Sequence, residues 1–260
     1  MKRRNFPRIA MRALICLLLM NGAAFAQESS NPDAAALVRK AFDYYRGEAS
    51  VSYVRMTIHR PDWERVMKIR VWTRGDEYSL FKIDYPPADE GNGTLKKGGD
   101  MWMYNPKINR VIKMPPSMMS QSWMGSDFSN NDLSKSDTLV KDYTHRITGR
   151  TEKDGVTVYS IESEPEPRAP VVWGMIRLQI REDGILMSEI FYDEDKEPVK
   201  TLVTKDIQMM GGKPFPAVWT ISRENEKEKY TRIEYLELDF KDSLPSHIFT
   251  MAGLKKRIRR

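Results

Sequence analysis

The sequence has few of the residues on which most enzyme mechanisms depend. It contains one cysteine, Cys16, and three histidines, His59, His145 and His247, which lie far apart in the chain. The histidine spacing matches no zinc motif, and the G-x-S-x-G elbow typical of serine hydrolases does not occur. We therefore expect no enzymatic activity, no metal site and no organic cofactor.

Long apolar runs are also missing, since no stretch reaches the ~20 residues that a membrane-spanning helix needs. The apolar residues 13–20 follow a basic segment and precede the Ala-Phe-Ala sequence at 24–26, which is typical of a cleaved secretion signal. We expect residues 1–26 to be a signal peptide cut after Ala26, and residues 27–260 to form one periplasmic domain. Cysteine would leave with the signal, so the mature chain would have no disulfide.

The excess of positive charge is concentrated at the two ends of the chain. Of the 42 basic and 36 acidic residues, five basic and no acidic residues lie in the predicted signal, which leaves a mature net charge of +1. Nucleic-acid binding, which needs a basic patch, therefore has no general support. Five of the last six residues are nevertheless basic: Lys255, Lys256, Arg257, Arg259 and Arg260. We expect this tail to dock transiently on an anionic membrane surface or on a partner protein.

The order of apolar residues predicts one helix followed by many strands. Asn31 as N-cap, Pro32 at the first helical position and Gly47 after the last turn predict a helix over residues 31–46. Alternating apolar and polar residues then predict about a dozen antiparallel strands in a curved sheet or partial barrel. The predicted strands are 51–59, 64–74, 77–85, 100–105, 107–114, 138–151, 156–164, 172–181, 185–193, 200–209, 217–225 and 229–239. The segment GNGTLKKGG at 91–99 matches neither common phosphate-loop pattern and is interpreted as a flexible turn.

Residues 101–128 combine six methionines with two tryptophans, a tyrosine and a phenylalanine. Methionine is flexible and is over-used where a surface must adapt to varied apolar partners. Both alternating faces of DMWMYN at 100–105 are apolar, so both must be covered. The connection at 115–136 is longer than the ~12–15 residues usual in compact domains, and its aromatic residues favour a functional lid. A closed core is one alternative, and a Cu(I) site of thioethers is another, with four candidate ligands: Met114, Met118, Met119 and Met124.

The segment GTLKKGGDMWMYNPKINRVIKMPPSMMSQSWMGSDFSNND at 93–132 resembles the LolA-like family of outer-membrane lipoprotein-sorting proteins. The resemblance is strongest at MWMYNP, KINRVIKM and QSWMGSDFSNND, and it extends more weakly over nearly the whole mature chain. It implies a mainly-β α+β fold, a half-open β-barrel of about eleven antiparallel strands closed by helices over a hydrophobic cavity. It also implies periplasmic traffic of lipid or lipoprotein acyl chains and an exporter in the inner membrane as partner.

The resulting hypothesis is a monomeric periplasmic carrier that shuttles acyl chains between envelope membranes or to an exporter. The side chains expected to line its cavity and lid are Trp102, Met103, Tyr104, Met114, Met118, Met119, Trp123, Met124, Phe128, Trp173, Met175 and Trp219. Three alternatives stay open: an exporter subunit that carries no lipid, an envelope hydrolase and a methionine-rich copper-binding protein.

Overall fold

The computed structural model describes residues 32–226 and 228–257. The predicted signal peptide, its cleavage site after Ala26 and the tail residues Arg259 and Arg260 lie outside the described residues.

The first helix, α1, spans Ala34–Arg46. Its N-cap is Asp33, whose carboxylate accepts a hydrogen bond from the backbone N–H of Ala35 at 3.1 Å. The predicted cap at Asn31 was therefore wrong by two residues, because the carboxylate of Asp33 satisfies a free backbone donor of the first turn. The predicted end at Gly47 is confirmed, and its φ of 61° lies in the left-handed region that glycine adopts without strain.

Thirteen strands of the described chain form one antiparallel sheet. Their bounds are β1 Ala49–Arg60, β2 Trp63–Arg74, β3 Tyr78–Tyr85, β4 Gly93–Lys97, β5 Asp100–Asn105, β6 Arg110–Lys113, β7 Tyr143–Lys153, β8 Val156–Pro165, β9 Met175–Arg181, β10 Leu186–Tyr192, β11 Pro198–Met210, β12 Lys213–Arg223 and β13 Tyr230–Lys241. The predicted fold class, a curved and unclosed antiparallel sheet with few helices, is confirmed, with thirteen strands rather than about eleven.

Two local predictions were wrong. The segment interpreted as a flexible turn at 91–99 contains strand β4, in which Thr94, Leu95 and Lys96 are all buried. The strand was not recognised because Lys96 does not look like a buried residue: a buried lysine requires a partner, and the local sequence pattern does not reveal one. The predicted strand at 138–151 begins instead as a short helix, α3 (Thr138–Lys141), which packs beside α1.

The order of strands in the sheet is β6-β5-β4-β3-β2-β1-β13-β12-β11-β10-β9-β8-β7. The first and last strands, β1 and β13, pair with each other, so β6 and β7 are the two opposite edges. The connection between these edges, residues 115–142, is called the covering segment below. It contains two 3₁₀ turns, Pro116–Met118 and Trp123–Gly125, and the short helices α2 (Asn130–Ser134) and α3.

The two faces of the sheet are covered by different parts of the chain. The inner face carries α1 and the covering segment: Val38 and Ala41 belong to one apolar cluster with Ile161, and Trp123 belongs to another with Met56. The outer face carries the C-terminal residues. They include helix α4 (Met251–Lys255), and they bury Phe249 and Leu254 against Leu80 and Leu95. Side chains of β3 and β4 that alternate along each strand therefore enter two separate apolar layers.

Across residues 32–226 and 228–257, every helix is too short or too polar to cross a bilayer.

Gly174, just before β9, provides a test of the junction between β9 and β10. Its N–H donates to the carbonyl oxygen of Tyr192 at 3.0 Å, and an added Cβ would lie 2.2 Å from the carbonyl oxygen of Asp193. Because the obstructing atom belongs to the backbone, Gly174→Ala should destabilise the protein by about 1–3 kcal/mol, measured by urea unfolding. Gly99→Ala is the control, since nothing lies within 4 Å of its added Cβ. Equal stability of the two variants would contradict this assignment.

Candidate functional site

The inner face encloses an apolar cavity of about 210 Å³ near the middle of the sheet, which is called the central cavity. The sheet contributes side chains of β1, β2, β3, β12 and β13, while α1 and the covering segment close the other side. Its apolar lining residues are Tyr45, Val54, Ile69, Val71, Phe81, Trp123, Phe128, Leu133, Trp219, Ile233, Tyr235 and Leu238, and its polar ones are Arg46, Ser50, Ser52, Thr73 and Ser79. The wall is thus largely aliphatic and aromatic, as expected for a site that holds apolar groups.

A second cavity of about 200 Å³, the helix-side cavity, lies between α1, the covering segment and strands β9 to β12. Tyr45, Phe128 and Trp219 line both this cavity and the central cavity. Trp219 is held at one end, because its indole N–H donates to the carbonyl of Pro216 at 2.7 Å, and its ring meets the Tyr45 ring edge-on at 5.6 Å. Ligand sites commonly measure ~300–1,000 Å³, so a long chain would need both cavities, joined by movement of a shared wall.

A third cavity of about 340 Å³, the methionine pocket, lies towards the β6 edge of the inner face. Met103, Met114, Met118 and Met124 line it. Trp123 and Phe81 line both this pocket and the central cavity. The three cavities therefore form a row in which neighbours share aromatic walls.

Trp123 anchors the covering segment to the sheet. Its side chain is buried, its indole N–H donates to the hydroxyl of Thr94 at 3.0 Å, and its ring lies 5.4 Å from the ring of Phe81. The next residue, Met124, has a φ of 54°, which is uncommon for a residue with a side chain. The backbone turns sharply here, so that the Trp123 side chain packs on the inner face of the sheet while Met124 lines the methionine pocket.

The structure places most of the predicted cavity residues on the inner face. Those that line a cavity there are Met103, Met114, Met118, Trp123, Met124, Phe128, Trp173 and Trp219. Met119 packs against the apolar cluster that contains Trp123 and is not among the lining residues of these three cavities. Residues from widely separated parts of the sequence are therefore brought together, with the covering segment supplying half of them.

Three predicted cavity residues are placed differently. Trp102 and Tyr104 alternate with Met103 on β5 and pack in the outer cluster, although Tyr104 also borders the methionine pocket. Met175 is buried, but it precedes Ile176, whose side chain belongs to the inner cluster, so Met175 is directed to the other face of β9. A period of two identifies alternating faces without saying which face is inside.

Sequence reasoning missed several cavity residues. Tyr45 is one of them, and it lies in the last turn of the predicted helix. Phe81 and Tyr235 lie on strands whose alternation was recognised, and their aromatic rings were the available signal. Burial raises the pKa of the Tyr235 phenol to about 12, which is consistent with a low-polarity surrounding.

Three carboxylates, spaced five residues apart, hold the covering segment to the sheet. Each of them pairs with a cation from a different strand. The pairs are Asp127 with Arg60 of β1 at 3.1 Å, Asp132 with Lys200 of β11 at 2.5 Å, and Asp137 with Lys96 of β4 at 2.6 Å. Because β4 and β11 lie on opposite sides of the central β1–β13 pair, these contacts fix the segment across the sheet.

The pair of Lys96 and Asp137 is the most enclosed on the cation side, since Lys96 is fully buried. Burial lowers the pKa of Lys96, and the hydrogen bond to Asp137 opposes this change. Burial would raise the pKa of Asp137, but hydrogen bonds from Lys96 and Lys141 outweigh it and hold that pKa below its usual value. The carboxylate therefore stays ionised at neutral pH and supplies the charge that the buried ammonium needs.

No group of three or more His, Cys, Asp or Glu side chains within residues 32–226 and 228–257 is arranged to hold a metal ion. Because Met114, Met118 and Met124 line one pocket, a thioether site for copper stays a prediction.

Solved structures of three proteins share this fold. A DUF1329 family protein from Desulfovibrio piger superimposes with a TM-score of 0.74 at 23% identity, covering 86% of this chain and 100% of that one. A putative outer membrane lipoprotein-sorting protein domain from Vibrio parahaemolyticus superimposes with a TM-score of 0.74 at 19% identity, covering 86% of this chain and 98% of that one. A LolA superfamily protein from Nitrosomonas europaea superimposes with a TM-score of 0.71 at 20% identity, covering 86% of this chain and 100% of that one. At these identities the likeness shows the fold.

A protein-family model described as an uncharacterized protein matches residues 75–256, which is more than half of the chain. The chain belongs to this DUF1329-like family, and its fold is that of the LolA superfamily structure described above. The resemblance identified at residues 93–132 is thereby confirmed, and the matched region contains the covering segment and most of the sheet. A comparison with curated proteins gave no match.

The role of the Lys96–Asp137 pair in fixing the covering segment can be tested by removing one charge. Asp137→Asn leaves the ammonium of Lys96 buried without a counter-charge, and breaking such a pair costs about 3–5 kcal/mol. We expect a lower free energy of unfolding, together with faster amide hydrogen exchange in residues 115–142. In the control, Asp100→Asn removes a pair with Lys113 in which both side chains are at least half exposed, and it should cost less than ~1 kcal/mol. Similar effects of the two substitutions would contradict the assignment.

Proposed function

We propose that this LolA-like protein is a non-enzymatic periplasmic carrier. It binds lipid or lipoprotein acyl chains in the row of inner-face cavities and passes them between envelope membranes or to an inner-membrane exporter. The observation that carries this proposal is the row itself: three adjoining cavities with apolar walls, closed by one segment of chain. The family fold, shared with a lipoprotein-sorting protein domain, supports a carrier-like role.

The shared aromatic walls suit a site that opens along its length. Tyr45, Phe128 and Trp219 lie between the central and helix-side cavities, while Phe81 and Trp123 lie between the central cavity and the methionine pocket. Of these five, Phe128 and Trp123 belong to the covering segment. Movement of that segment would displace walls at both junctions and make one continuous groove.

The energetic requirement on such a carrier is reversibility. Burying one methylene group contributes ~0.8 kcal/mol, so a chain of about 15 methylenes gains roughly 12 kcal/mol on leaving water. A bilayer offers a similar gain, so the carrier has to release its cargo as readily as it binds it. Flexible methionines and a segment held by a few ion pairs meet this requirement better than a rigid, fully packed core.

The central cavity can be filled without adding charge. Ser52 lines it and is buried, whereas the adjacent Val51 points to the outer face of β1. Ser52→Phe should occupy much of the cavity and weaken binding of the uncharged probe N-phenyl-1-naphthylamine by about tenfold or more, measured by fluorescence titration.

Val51→Phe is the matched control, because it adds the same ring on the opposite face and should leave probe affinity within about twofold. If the wild-type protein takes up no apolar probe and no lipid co-purifies in native mass spectrometry, the carrier proposal fails. A protein-binding exporter subunit would then be the better interpretation.

The C-terminal tail supports transient contact with a membrane. Lys255, Lys256 and Arg257 are exposed, directly after the buried Leu254. Each basic residue near an anionic surface contributes ~1 kcal/mol of salt-sensitive attraction. Deleting residues 255–260 should reduce co-sedimentation with phosphatidylglycerol vesicles at low salt, and high salt should remove the difference. Replacing three exposed lysines elsewhere, Lys107, Lys113 and Lys153, by glutamine is the control. Unchanged binding of the truncated protein would contradict a docking role.

A further inference from the structure

One carboxyl group lies in the wall of the helix-side cavity. Glu189 is on β10, and its neighbours across the sheet are the buried Leu178 on β9 and Leu202 on β11. Its side chain lines the cavity. Within residues 32–226 and 228–257, its carboxylate has no hydrogen-bond or ion-pair partner. An ionisable group placed in this way in an apolar wall is costly unless a ligand provides its partner.

The cation near Glu189, Lys200, already has an ion-pair partner. Lys200 pairs with Asp132 of α2 at 2.5 Å, and its ammonium also lies 4.7 Å from the ring centre of Trp173 and 4.9 Å from that of Phe191. The charges of Lys200 and Asp132 largely cancel. The charge left in this part of the cavity is therefore the negative charge of Glu189 when it is ionised.

Two further groups that face Glu189 are phenols, which are uncharged at neutral pH. Tyr45 of α1 and Tyr143 of β7 both have pKa values raised, chiefly by burial and also by the nearby carboxylate. The Tyr143 hydroxyl donates to the carbonyl of Trp173 at 2.9 Å. Lys135 also lines the cavity, but its ammonium donates to the carbonyl of Pro170. None of these described groups neutralises Glu189.

The protonation of Glu189 changes close to neutral pH. Burial raises the pKa of its carboxyl group to about 7, Lys200 opposes the change and Asp132 adds to it. Below this pKa the group is neutral and donates or accepts a hydrogen bond. Above it, the group is an anion that accepts hydrogen bonds and repels other anions.

We propose that Glu189 is the recognition site for the headgroup of the carried lipid, and that it selects headgroups that donate hydrogen bonds and carry no negative charge. Glycerol-type hydroxyls would donate to its carboxylate. A free fatty-acid carboxylate would meet Glu189 and Asp132, while Lys200 is already paired. This inference rests on the proposed carrier function and names its substrate class.

The test compares two ligands with the same chain, monododecanoylglycerol and dodecanoate. Displacement of N-phenyl-1-naphthylamine gives their affinities at pH 8 and pH 6, on either side of the pKa of about 7. For the wild-type protein we expect the glycerol ester to bind about tenfold tighter than dodecanoate at pH 8, because like charges repel in a desolvated site. The ratio should fall at pH 6, where Glu189 is protonated.

Glu189→Gln keeps the shape and hydrogen-bonding capacity but removes the charge. It should tighten dodecanoate binding at pH 8, bring the two affinities to within about threefold, and abolish the change of their ratio with pH. Glu194→Gln, at an exposed position, is the matched control and should behave like the wild-type protein.

The outcomes separate this inference from the carrier proposal. Tight binding of both ligands by the wild-type protein, with a ratio that is equal at pH 8 and pH 6, overturns the headgroup role while the carrier function stands. Because that comparison uses the wild-type protein, it holds even if Glu189→Gln fails to fold. Binding of neither ligand overturns both proposals.

Discussion

The pairing of β1 with β13 determines how the rest of the molecule is built. It joins the first and last strands at the centre of the sheet, so the chain moves outward to β6, has to reach β7 at the far edge, and then returns. With neighbouring strands ~4.8 Å apart, twelve intervals amount to roughly 58 Å along the sheet. The covering segment makes this crossing, and it does so over the inner face. The cavities are the space left between this crossing segment, α1 and the sheet.

The covering segment is positioned by ion pairs as well as by the apolar contacts of Trp123 and Phe128. A buried ion pair gains Coulomb energy but loses hydration, so its net contribution to stability is small, whereas breaking it leaves an uncompensated charge. Like the other two carboxylates, Asp127 has a cation as its partner: it pairs with Arg60 and also accepts a hydrogen bond from the Thr231 hydroxyl at 2.7 Å. Because an ion pair depends on the positions of two particular groups, such contacts specify one position of the segment on the sheet.

Much of the fold was predictable because the two faces of a strand lie in different environments. Apolar and polar residues then alternate along the strand with a period of two. The predicted strand at 51–59 corresponds to β1, Ala49–Arg60, in which Val54, Met56 and Ile58 point to the inner face. β4 was missed because its buried Lys96 is paired with Asp137, a partner 41 residues away that no local pattern reveals. The spacing of Asp127, Asp132 and Asp137 is visible in the sequence, but their partners come from three strands that only the sheet brings together.

The distribution of methionine and charge along the row of cavities follows from the same topology. The methionine pocket lies at the β6 end, where the covering segment begins, and flexible side chains there can adapt to a chain end of variable shape. At the other end, β10 and β11 bring Glu189 and Lys200 beneath α2, close to where the segment reaches β7. A ligand lying along the row would therefore place its apolar end among methionines and its polar end beside Glu189. A single crossing of the sheet thus produces a site with two chemically different ends, although both halves of the sheet are built from the same antiparallel meander.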